Sequence, residues 1–181
     1  GNAYGCWGED AAFSPHKYER CCRSPCGESL RKKITRLCSK VLVRNTTIVT
    51  GLWDLGRHKW AAHARYKDGA ERTYAKYLQW FDLLLAKPEA MVLFLDAEAA
   101  TFAKQRRAIY GLERLTCLVD APMNDLPQMR WREQYVAAHV ENMRRLPGDT
   151  QPEVIHANYT LVVNSKPELL ACAALWNPFQ S

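Results

Sequence analysis

Apolar positions follow two rhythms along this chain, one of three to four residues and one of unbroken short runs. Leu30, Ile34, Leu37 and Val41 keep the first rhythm and predict a helix over Ser29–Val41, with Lys and Arg on its other face. Thr46 to Thr50 is β-branched throughout and predicts a strand. Gly51 and Gly56 bracket the loop after it, which carries Trp53, Asp54 and Arg57. Asp68-Gly69 reads as a turn. A helix from Ala70 to Leu85 follows, with Tyr74, Tyr77, Leu78, Phe81, Leu84 and Leu85 on one stripe, and Pro88 ends it. "AMVLFLD" is a continuous apolar run, the mark of a strand covered on both faces. Ala99 to Tyr110 reads as a helix that Gly111 stops, and "RLTCLVD" as another short apolar strand. Pro122 and Pro127 flank a loop. A long helix is expected from Gln128 to Arg145, broken by Pro147-Gly148. "YTLVVNSK" fits either a strand or the start of a helix reaching Trp176.

Strands thus alternate with helices three times. That order predicts an α/β fold with a mostly parallel sheet flanked by helices. In such sheets ligands sit beyond the carboxyl ends of the strands, where the loop Trp53 to Arg57, Asp96 and Asp120 fall. The 181 residues suffice for one domain with a sizeable core, and there is no internal repeat or low-complexity tract.

Composition adds less. Apolar residues make up 48% and charged residues 24%, an ordinary balance for a water-soluble domain, and no apolar run is long enough to span a bilayer. A net charge of +6 suits an anionic ligand such as a nucleotide or sugar phosphate. Lys and Arg are spread along the chain, so a solvated basic surface is the plainer reading and nucleic acid is not an expected partner.

Cysteine changes the picture at one end. Four of the seven, Cys6, Cys21, Cys22 and Cys26, crowd a short, turn-rich head, while Cys38, Cys117 and Cys172 are scattered. Such a head buries too little to fold without staples or a metal. Adjacent Cys21 and Cys22 fit zinc-ligand spacing poorly, which favours two disulfides and an oxidising compartment over reduced cytosolic thiols. Residues 1–28 are therefore set apart as a Cys-rich segment and 29–181 as the α/β domain. Glycosylation triplets begin at Asn45 and Asn158 and fit a secretory setting, the Golgi lumen or outside the cell. Asn45 abuts a strand, so Asn158 is the better acceptor.

Candidate chemistry gathers at the strand ends. Asp96 and Glu98 could share a divalent cation bridging a diphosphate. The plainer alternative is helix capping, preferred for Glu98, while Asp96 points into the expected cleft. Arg57 suits bidentate phosphate binding and Asp54 suits a base or ribose, against the plainer reading of an Asp–Arg pair that orders the loop. His58 and His63 are five apart, and no HExxH, GxSxG, GxGxxG or P-loop pattern occurs. Trp131, Tyr135, Ala138 and Asn142 form a stripe on a helix with a basic outer side that could lie against nucleic acid or a membrane face, though core packing is the plainer reading.

Three stretches together carry a resemblance: "TTIVTGLWDLGR", then "RTYAKYLQWFDLLLAKPEAMVLFLD", then "NSKPELLACAALWNPFQS". Their order and spacing resemble the HtrL/YibB family from about Thr46 to Ser181, with a poorly matched middle around Ala121 to Glu153. The family looks like glycosyltransferases of the GT-A type. The resemblance implies the nucleotide-sugar half of such a domain, a nucleotide-sugar donor and a glycan acceptor. It places Asp54, Arg57 and Asp96 in the donor pocket, with Lys166 before the last helix reaching the diphosphate; a solvated Lys at a helix start is the plainer alternative. It also implies Mn²⁺ or Mg²⁺ in the intact protein, held by an acidic "WxDxG"-like strand that would follow Ser181, so the chain reads as a fragment. The rival expectation is a secreted, non-enzymatic module that binds glycan or protein through its Cys-rich head.

Overall fold

The computed structural model describes residues 32, 45–57, 73–146, 156–176 and 179. The cysteine-rich head with Cys6, Cys21, Cys22 and Cys26, the Asp68-Gly69 turn, His58 and His63 lie outside these residues, and the Ser29–Val41 helix is described only at Lys32.

Three strands, β1 (Thr47–Leu52), β2 (Ala90–Leu95) and β3 (Thr116–Asp120), form a parallel sheet in the order β1-β2-β3. Val49 pairs with Val92, and Val92 with Cys117, so the three strands run in step and their carboxyl ends lie together. Among the described residues four α-helices accompany them: α1 (Tyr74–Leu85), α2 (Ala97–Ile109), α3 (Arg132–Arg145) and α4 (Ala157–Leu175).

The unbroken apolar run of β2 has its explanation here. It is the central strand and all six of its residues are buried. Met91, Leu93 and Leu95 face α1 and α2, against Phe81, Leu85, Ala99 and Ala103. Val92 and Phe94 face the other way, into a core with Val119, Leu169 and Cys172. The sheet is therefore the middle of three layers.

Helix α2 begins on the Asp96 side chain, which accepts from the Ala99 N–H. It ends where Gly111 takes a φ of +66°, a left-handed turn that glycine adopts without strain. Ala99, Ala103 and Arg107 share its inner face. The two alanines let the helix approach the sheet, and the arginine then has nowhere to go but inward.

Arg107 is 1% exposed. Its Nε–H donates to Thr116 Oγ1, and its four Nη protons donate to the carbonyls of Leu85, Lys87, Glu89 and Leu115, at 2.5 to 3.2 Å. All five guanidinium N–H groups are thus used. The side chain joins the end of α1, the turn into β2 and the entry to β3 at the amino end of the sheet. Burial lowers its pKa from the ordinary arginine value.

One sequence expectation changes, and one held open between strand and helix is decided. The stretch Pro127–Trp131 is a 3₁₀ helix, not the first turn of α3. Its tighter winding puts Trp131 out of phase with the stripe that follows, so Trp131 is 40% exposed, Ala138 is exposed, and His139 is the buried residue of α3. "YTLVVNSK" is helical despite its β-branched content. Leu161, Val162, Ser165, Leu169, Cys172 and Ala173 are the buried positions of α4, and this packing outweighs local preference. Lys166 accordingly lies inside a helix and not before one. The helix continues through Pro167, which removes one donor without ending it, while Ser165 Oγ donates to the Leu161 carbonyl and accepts from Gln128 N–H.

Replacing Arg107 with Met should lower unfolding free energy by about 3 kcal/mol or more, because four carbonyls lose their donor in a dry site. Arg107→Lys should recover only part of this, since an ammonium lacks the planar fork. Urea unfolding checks both; a loss below about 1 kcal/mol for Arg107→Met would show that the carbonyls find other partners.

Candidate functional site

Near the carboxyl end of β1, Gly51 permits a close approach. A Cβ there would stand 2.2 Å from Trp53 Cη2 and 2.6 Å from the Phe94 carbonyl oxygen. Only glycine leaves room for the indole to fold back over the strand. Trp53 is 5% exposed, and its Nε1–H donates to the Ala121 carbonyl at 2.7 Å. The end of β1 is thereby tied to the end of β3, across β2.

The next residues hang from Asp96. Its Oδ2 accepts from the Asp54 N–H at 2.8 Å, and its Oδ1 accepts from the Ala99 N–H at 2.9 Å. The Tyr74 hydroxyl lies 2.8 and 2.9 Å from the two oxygens. One carboxylate thus caps α2, anchors α1 and holds the loop after β1. Asp54 orders that loop further, accepting from the Gly56 N–H at 2.8 Å where Gly56 turns with φ +65°.

A cavity of about 300 Å³ opens above this frame, lined by Asp54, Arg57, Tyr74, Tyr77, Tyr159 and Lys166 among others. The Arg57 guanidinium carbon lies 5.2 Å from the Tyr77 ring centre and 5.3 Å from that of Tyr159. Both rings are within cation–π range, and Arg57 also donates to the Tyr77 hydroxyl. A cation held this way keeps its charge at the cavity wall with little rotamer freedom to lose.

Of the residues expected at the site, Asp54, Arg57 and Lys166 come together on this one cavity, from a loop and a helix more than a hundred positions apart in sequence. Asp96 sits behind the wall and positions Asp54 and Tyr74. The capping role considered for Glu98 belongs to Asp96, and Glu98 lies exposed in the first turn of α2. Asp120 is exposed at the end of β3. Asn45 is exposed just before β1, whereas Asn158 is half-buried in the first turn of α4. The sequence reading missed Tyr74, Tyr77 and Tyr159 as lining residues. The signal was available: tyrosine stands at stripe positions where phenylalanine would fill a core equally well, and each hydroxyl needs a wet or bonded end.

Among the described residues, no three His, Cys, Asp or Glu side chains converge where a metal ion could sit. Both Asp96 oxygens are already accepting N–H and O–H bonds. These residues do not by themselves form a cage for Mn²⁺ or Mg²⁺. No helix among the described residues is long and apolar enough to cross a membrane.

A family model described as "Bacterial protein of unknown function (HtrL_YibB)" matches residues 44–181, which includes the whole stretch that carries the sequence resemblance. No curated protein and no solved structure matches the chain.

Burial, and then the Asp96 carboxylate beside it, pushes the Tyr74 hydroxyl well above the ordinary tyrosine range. The folded chain therefore holds a proton that the unfolded chain releases above a pH of about 10, and stability should fall as pH rises beyond that point. The slope from this group is at most about 1.4 kcal/mol per pH unit, reduced by solvent because Tyr74 is only half-buried. Tyr74→Phe should flatten the alkaline limb in thermal unfolding between about pH 9 and 11. An unchanged limb would mean that Tyr74 loses its proton without cost.

Proposed function

This chain belongs to the HtrL_YibB family, and from its crevice we propose that it binds the diphosphate of a nucleotide-activated sugar, as a glycosyltransferase-like domain does. The carrying observation is Arg57, clasped between Tyr77 and Tyr159 beyond the carboxyl end of β1, with Lys166 on the same cavity. Parallel α/β sheets place ligands at this end of their strands. Two cations there suit a diphosphate, the arginine through its planar fork and the lysine as a point charge. Three tyrosine rings line the same cavity and offer apolar area to a base or sugar. Asp54 is exposed on the same wall and can accept from ribose or sugar hydroxyls.

What the described residues do in this reading is bind and orient. Asp96 and Tyr74 fix the loop, Trp53 fixes its root, and Arg57 and Lys166 supply the positive charge. A glycan is the proposed acceptor.

Isothermal titration with uridine, guanosine and cytidine diphosphates and their sugar esters tests the reading. At least one should bind, and Arg57→Ala should weaken it at least about tenfold, a loss of roughly 1.4 kcal/mol. Arg57→Lys should fall between the two, because it keeps charge and loses the fork. Absence of binding by every nucleotide at millimolar concentration, with or without Mn²⁺, would overturn it.

A further inference from the structure

A second cavity, of about 350 Å³, adjoins the first and shares Gly51, Val163 and Lys166 with it. Its character differs. Val49 and Phe94 from the sheet and Val163, Pro167, Leu169 and Leu170 from α4 make it an apolar groove. Two of its wall residues stand open to water, Val163 at 39% exposed and Leu170 at 56%. They lie seven residues apart, two turns along the same side of α4. Lys166 lies between them in sequence, at the join of the two chambers.

We propose that the two chambers together hold an amphiphile, with its anionic head beside Lys166 and Arg57 and its hydrocarbon chain in the groove beneath α4. The continuity of the cavities carries this, together with the change of lining at Lys166. A phosphate head meets two cations on one side of the join. A chain on the other side covers Val163 and Leu170 and removes their apolar surface from water. The head takes the same two cations as the nucleotide's diphosphate, so amphiphile and nucleotide exclude each other there; the inference goes beyond the proposed function and rests on it only in assuming one shared crevice.

Dimethylallyl, geranyl and farnesyl diphosphates test it, because the head is constant and the chain lengthens. Affinity should rise at least about tenfold from the shortest to the longest. Leu170→Glu should flatten the series, lowering the affinity of the farnesyl compound by a larger factor than that of the dimethylallyl compound. Position 170 is exposed, so the variant should fold, and circular dichroism checks that it does. Lys166→Ala should weaken all three compounds by a similar factor. A flat series in the unmodified chain overturns the proposal, as does a rise that survives Leu170→Glu, which would place the chain on some other apolar surface. A flat series with nucleotide binding intact sinks this inference alone. A rising series without nucleotide binding sinks the donor reading alone.

Discussion

The Asp96 carboxylate is the constraint on which the crevice depends. Its position at the end of the central strand is fixed by the register of β2 with β1 and β3. From there it accepts bonds from the start of α2, from α1 and from the loop that follows β1. The loop and α1 line the cavity, and the carboxylate, seated on the start of α2, holds them from behind. Strand-end acids are easily read as ligand groups, yet here the acid organises the groups around the cavity.

The two ends of the sheet divide the labour. At the amino end Arg107 gathers chain turns into a dry, fully bonded knot. At the carboxyl end the polar groups leave a cavity, and charge is held at its wall by aromatic faces. Arginine serves both ends through different properties. Buried Arg107 uses its five donors, while Arg57 uses its flat, weakly hydrated face. A parallel sheet makes the division possible, because all of its strands deliver their loops to the same side.

Much of the scaffold was legible in the sequence. The strands announced themselves because a central parallel strand must be apolar on both faces, and β2 is. Gly111 marked a helix end because few residues accept its conformation. Arg57 and Asp54 were legible in place, on the loop beyond the carboxyl end of β1. Lys166 was set before the last helix by the resemblance, while "YTLVVNSK" fitted strand or helix alike, and packing against the sheet runs the helix through it. Arg107 was invisible: on paper it is one more polar residue near the end of a basic helix. Its burial follows from two alanines spaced four apart on the same face, a pattern that shows where a helix comes close but not what fills the gap. The tyrosine pair around Arg57 depends on α1 and α4 meeting the same loop, and no local pattern encodes that meeting.

Arg107 has one more consequence, for how freely the sequence around it can drift. Four of its five acceptors are main-chain carbonyls, at positions 85, 87, 89 and 115. Every amino acid brings that oxygen. Side chains at those four positions can be exchanged without depriving the guanidinium of a partner, provided the backbone keeps its path. Only Thr116 answers with a side chain, and serine carries the same hydroxyl. A junction of three chain segments therefore weighs, in sequence terms, on little more than a single codon.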